Sequence, residues 1–255
     1  MDNKGFTLVE IAIVIVIIGL ILAGVVSGQD LIKQAQIRSV INNINKYNTA
    51  INTFTIKYHG VPGDLLNAHE FWGSDCDSTA ANCNGDGSRL VEWVATAGQN
   101  SNLENLRAWQ HLSLAGLVNA SYTGVYAYPT FINVTMPPAS VDGGCYSYLV
   151  TGTTSTTYTG RFGSMKNGLY IGKPSLVADY QGRLCSAPLF EPIEAYSIDL
   201  KVDDALPNSG SMQVRTAETT GCIGANQEGD DSSANDDPYN LDNEGVHCNL
   251  IFQTQ

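Results

Sequence analysis

The side chains in this sequence able to react, ligate or bridge are six cysteines, four histidines and several groups of carboxylates. The cysteines are Cys76, Cys83, Cys145, Cys185, Cys222 and Cys248; their number is even and none falls in a CxxC pair. Metal-thiolate spacing is therefore missing, which argues against zinc. If the C-terminal part lies outside the cytoplasm, disulfides are the better reading. Six cysteines allow fifteen pairings. The sequential set, 76–83, 145–185 and 222–248, is favoured because each pair closes its own local segment. His59, His69, His111 and His247 sit in no HExxH and at no zinc spacing with cysteine. No GxSxG, Walker loop or dinucleotide fingerprint occurs, so no motif supports an enzyme. Lys201, between Asp199 and Asp203, reads as a salt-linked edge on a strand face.

Two stretches carry oxygen donors at close spacing. In Asn82-Cys83-Asn84-Gly85-Asp86-Gly87 the oxygen side chains alternate and a glycine stands sixth, as at the opening of a calcium loop. The twelfth position is Trp93, with Glu92 one place early, so the far end departs from that pattern. Calcium at Asn82, Asn84 and Asp86 stands against an Asx-rich turn held by a Cys76–Cys83 bridge. Asp230, Asp231, Asp236, Asp237, Asp242 and Glu244 form the second group. A solvated loop or a bound cation would each relieve their repulsion. One more carboxylate stands apart from these. Glu10 heads the apolar run Ile11 to Gly28, which is eighteen residues without a charge.

The elements that must position these groups are legible from periodicity. Eighteen helical residues span about 27 Å, close to a hydrocarbon core of ~30 Å. Beyond Gly28, apolar residues recur at Ile37, Val40, Ile44, Tyr47, Ile51, Phe54 and Tyr58, in steps of three and four. That predicts one helix from Phe6 to Tyr58, ended by Gly60 and Pro62. Its stripe packs either on the chain's own globular domain or in a free coiled coil. Residues 101–118 read as a second helix, opened by a Ser101/Glu104 capping-box pattern, with Leu103, Leu106, Trp109, Leu112 and Leu117 along one face. Strands are predicted near 145–152, 168–173, 195–202 and 211–216. Leu189, Phe190, Ile193 and Tyr196 offer a short helix as the alternative before 198. Helix first and antiparallel strands after is an α+β order. The net charge of −12 and pI near 4.5 argue against nucleic acid as a partner.

Lys4-Gly5-Phe6-Thr7-Leu8-Val9-Glu10, directly before the apolar run, resembles the N-terminus of type IV pilins and type II secretion pseudopilins. The resemblance implies cleavage after Gly5 by a prepilin peptidase and N-methylation of Phe6. Glu10 then becomes the fifth mature residue, and its carboxylate can meet the ammonium of Phe6 on this or a neighbouring subunit. The resemblance also implies segments 1–5 (leader), 6–28 (transmembrane and assembly helix), 29–59 (amphipathic continuation) and 60–255 (periplasmic globular domain). The implied setting is a single pass of a bacterial inner membrane, with other pilin-like subunits and an inner-membrane assembly platform as partners. Secretion pseudopilins often bind calcium in a loop, which bears on the Asn82–Asp86 stretch. The pieces from Pro62 to Gly73 and from Ile198 to Gly210 resemble longer secretion-type members more loosely. Two other readings stand beside the structural subunit. One is a tip or surface adhesin that binds through loops around 75–87 and 226–244. The other is a membrane-tethered enzyme.

Overall fold

The computed structural model describes residues 7–92, 103–126, 132–151, 166–175, 184–214, 221–224 and 238–254. The chain divides into two compact units, Met1–Ser39 and Val40–Gln255. Helix α1, Leu8–Tyr58, is continuous through 51 residues. It opens with a capping box. The Thr7 hydroxyl accepts the Glu10 N–H at 3.3 Å, and the Glu10 carboxylate accepts the Thr7 N–H at 2.7 Å. Its most apolar window has a mean hydropathy of 3.0, and none of that window is buried. Leu8, Leu20 and Leu22 are 86%, 71% and 58% exposed. So much apolar surface, left uncovered by the described residues, calls for a lipid or protein environment.

Within the second unit α1 behaves as a core helix. Val40, Ile44, Tyr47, Ile51 and Phe54 are buried. Tyr47 meets Trp109 and Tyr146 edge-on, both at 5.0 Å between ring centroids. The stripe is thus covered by the chain's own domain. Helix α2 (Ala68–Trp72), a 3₁₀ turn (Gly73–Asp75) and α3 (Ala80–Cys83) follow as short pieces. Helix α4, Glu104–Leu114, is buried along most of its length. Ser101 lies outside the described residues, and Leu103 holds the N-cap position.

Strands β1 (Cys145–Thr151) and β2 (Lys166–Gly172) pair antiparallel, with Cys145 opposite Gly172 and Thr151 opposite Lys166. Strands β3 (Met212–Val214) and β4 (Leu250–Gln253) complete a sheet ordered β1-β2-β4-β3. β4 lies between β2 and β3, antiparallel to both. The outer edge of β1 is covered: Val150 N–H donates to Val91 at 2.8 Å and Tyr146 N–H to Pro137 at 3.0 Å. The architecture is α+β.

One sequence expectation is corrected here. Residues 195–202 are not a strand but part of helix α5, Pro192–Val202. Local start signals outweigh the β-prone Tyr196, Ile198 and Val202. Pro192 presets the first turn, and Glu191 and Glu194 form a reciprocal capping box. Ala195, Ile198 and Asp199 then share one buried face at helical spacing. Lys201 is exposed on that helix while Asp199 is buried, so the strand edge expected there is a helix face. The three disulfides join Cys76 to Cys83, Cys145 to Cys185 and Cys222 to Cys248, with Cα separations of 5.6, 5.5 and 5.1 Å.

Candidate functional site

Three sets of polar groups carry chemistry. The first is at the head of α1. Glu10 Oε2 accepts the Thr7 N–H and, at 2.8 Å, the Thr7 hydroxyl. Oε1 has no partner among the described residues, so the exposed carboxylate keeps capacity for an incoming cation. Gly5 and Phe6 lie outside the described residues. The sequence signal for the cap was present in Thr7-x-x-Glu10 ahead of an apolar run.

The second set surrounds the N-terminus of α4. Asp64, Asp86 and Glu104 bring carboxylate oxygens within 4.8 Å of one another. Asp64 is buried; its Oδ1 accepts the Gly87 N–H at 2.7 Å and its Oδ2 the Arg89 N–H at 2.5 Å. Burial pushes its carboxyl up, against the pull of those two amides. Asp86 is held down by its bonds to Ser88. Glu104 accepts from the Glu92 N–H at 2.8 Å and, at 3.4 Å, from the Asp86 N–H. Burial, with the charges of Asp64 and Asp86 adding to it, raises Glu104 to about 8. Such a set takes up a proton or a hard cation to relieve its repulsion.

The packing around this set is close. A Cβ on Gly85 would stand 2.3 Å from the Asp64 Cα. Of Asn82, Asn84 and Asp86, Asp86 belongs to this carboxylate group, and Asn84 lines the same cleft as Asp86 and Glu104. The Asn82 amide donates to Asp77 at 3.3 Å, and the Asn84 oxygen accepts the His69 N–H at 2.8 Å. Asp64 and Glu104 are the members sequence reading did not connect. Their separations of 22 and 18 residues from Asp86 leave no periodic trace.

Beside it, α4 contributes buried polar side chains that staple the Cys76–Cys83 loop. Arg107 pairs with Asp77 at 3.1 Å and donates to the Cys76 carbonyl at 3.2 Å. His111 accepts the Gly63 N–H on Nδ1 at 3.0 Å, and its Nε2 lies 3.1 Å from the Cys83 carbonyl. The ring is therefore neutral with its proton on Nε2. Burial, aided by Arg107, lowers it to about 4. Gly63 has φ +92°, and a Cβ there would stand 2.3 Å from the Glu104 carbonyl.

The third set ends α5. Asp199, Asp203 and Asp204 offer oxygens within 4.8 Å of one another. Asp199 accepts the Tyr239 hydroxyl at 2.8 Å, and its burial raises it to about 7. Asp203 accepts the N–H groups of Ser211 and Met212, and Asp204 those of Leu206 N–H and the Ser209 hydroxyl. These bonds make the loop a fixed corner before β3. Of the acidic tail, Asp230, Asp231, Asp236 and Asp237 lie outside the described residues, while Asp242 and Glu244 are exposed.

The second and third sets fix their loops through these bonds, while the head of α1 leaves its apolar surface exposed together with a carboxylate. No curated protein and no solved structure matches the chain. Residues 1–26 match the family model of the prokaryotic N-terminal methylation motif, and with it the chain carries the signature of type IV pilins and pseudopilins.

Proposed function

We propose that this chain is a structural subunit of a type IV pilus or a type II secretion pseudopilus, cleaved after Gly5 and N-methylated at Phe6. The observation that carries the reading is the methylation motif at residues 1–26, leading into an apolar helical window that no described residue covers. Before assembly that helix anchors the chain in the inner membrane by a single pass, with the second unit in the periplasm. During assembly it moves from lipid into a bundle of like helices on the inner-membrane platform. A carboxylate enclosed in that bundle is unfavourable unless a cation meets it. The Phe6 ammonium of a neighbouring subunit supplies the cation, and the pairing favours one axial register, as a buried polar residue does in a coiled coil.

Two substitutions separate this role from the local cap. Glu10→Gln keeps an oxygen for the Thr7 N–H and removes the charge; Glu10→Ala removes both. Both variants are expected to insert and to be processed normally, and both to drop out of sheared filaments on immunoblots. Mass spectrometry of the mature terminus is expected to find methylated Phe6. Filament incorporation of Glu10→Gln at the normal level would remove the register role, and retention of Met1 in a working subunit would remove the reading as a whole.

A further inference from the structure

A cavity of about 790 Å³ opens between the second half of α1 and the β2–β4 part of the sheet. That size suits a small ligand of two or three rings. Its charge is opposite to that of the protein. The sequence has 25 acidic and 13 basic residues. Yet among the described residues the cavity is lined by Arg89 and Lys166 and by no carboxylate. Neither cationic head group makes an ion pair or hydrogen bond among the described residues.

Both cations are carried on pinned backbone. The Arg89 N–H donates to buried Asp64, and its carbonyl accepts the Asn167 amide at 2.9 Å. The Lys166 carbonyl accepts the Thr151 hydroxyl at 2.8 Å, and Lys166 sits in register opposite Thr151. Asn167 is itself fixed, since its oxygen accepts the Val91 N–H at 2.9 Å. The same cavity is also lined by Asn52 from α1, Gln253 from β4 and Ser211, whose carbonyl accepts the Gln253 N–H. Their side-chain amides and hydroxyl make no bond among the described residues, although the strand backbone around them is paired. Free amides and hydroxyls on rigid elements match the hydroxyls of a sugar, while two unpaired cations match a carboxylate.

We infer that this cavity binds an acidic saccharide, its carboxylate between Arg89 and Lys166 and its hydroxyls on Asn52, Gln253 and Ser211. The site does not depend on the filament reading, since every lining residue belongs to the second unit. It gives an acidic protein a way to hold an acidic polysaccharide that its overall field would repel.

The test is calorimetric titration of the full chain in neutral detergent with a uronic-acid trisaccharide. Maltotriose serves as the neutral control and sodium sulfate as the anion control. The trisaccharide is expected to bind, more weakly as salt rises, and at least about tenfold more tightly than either control. Arg89→Gln with Lys166→Gln is expected to weaken it about tenfold or more, with an unchanged urea midpoint. Lys166→Gln alone, at an exposed strand end, is expected to give a smaller loss and serves if the double variant folds poorly. Equal binding of maltotriose, equal binding of sulfate, or no trisaccharide binding at all would each overturn the assignment, as would full affinity in a folded Lys166→Gln protein.

Discussion

Replacing Glu104 by glutamine should stabilise this protein, and increasingly so as pH rises. The carboxyl is raised from 4.5 to about 8, first by burial and then by Asp64 and Asp86. A folded-state value above the unfolded one means that the native state holds the proton more tightly. Glu104 therefore contributes full stability below about pH 4.5, and loses it as pH climbs through 8. At about 1.36 kcal/mol per pH unit the ceiling is about 5 kcal/mol. Glu104 is only partly buried and borders solvent at the start of α4. Screening there reduces the working figure to about 1–2 kcal/mol. Glutamine keeps the acceptor oxygen for the Glu92 N–H and carries no charge to repel Asp64 and Asp86. The assay is urea denaturation of the full chain in detergent with EDTA present and disulfides intact. Glu104→Gln should match the parent near pH 5 and exceed it by about 1–2 kcal/mol at pH 8.5. Titrations away from this set, those of His111 and Asp199 included, cancel in the difference between the two proteins, and the difference reports the Asp64–Asp86–Glu104 set as a whole. A pH-independent difference, or a variant that weakens relative to the parent as pH rises, would refute the reasoning. Repeating the pH 8.5 measurement with millimolar calcium identifies the neutralising charge. A parent that climbs to the variant's midpoint holds a cation at Asp64, Asp86 and Glu104; a parent that does not move relies on the proton.

His111 titrates in the opposite sense. Its value is lowered from 6.5 to about 4, so its contribution is intact above pH 6.5 and drains away as pH falls toward 4. A His111→Gln protein should therefore lose less stability than the parent between pH 6.5 and 4 in the same assay, and a parallel loss would disprove the neutral-ring assignment. Removing the Cys145–Cys185 bridge, which spans 40 residues, should cost about 4 kcal/mol by chain entropy. The 7-residue Cys76–Cys83 bridge should cost only about 2.4 kcal/mol on the same scale. Urea midpoints of the paired alanine variants measure both, and the reverse order would show that Arg107 and His111 make the shorter loop the more consequential one.

Features set by neighbours along the chain were legible from the residues alone. The Lys4–Glu10 motif, the uncharged run after it and the heptad-like stripe from Val40 to Phe54 are all local patterns. Helix geometry converts such patterns directly into faces and caps. The strands at 145–151 and 212–214 were legible for a similar reason, since alternating and β-branched residues mark a pleated surface. The reading failed where two local signals competed. Residues 195–202 look strand-prone, but Glu191, Pro192 and Glu194 start a helix just before them. Strand β4 went unread because its four residues carry too short a pattern, and β2 and β3 define it from either side.

Tertiary structure alone decided the groups that titrate and the cavity. Asp64, Asp86 and Glu104 meet because the loop after α1 folds over the start of α4, and Arg89 and Lys166 share a wall because Asn167 ties two distant segments together. No periodicity records such meetings. They follow from chain closure across tens of residues, and the desolvation that shifts each carboxyl exists only once the surrounding side chains have packed.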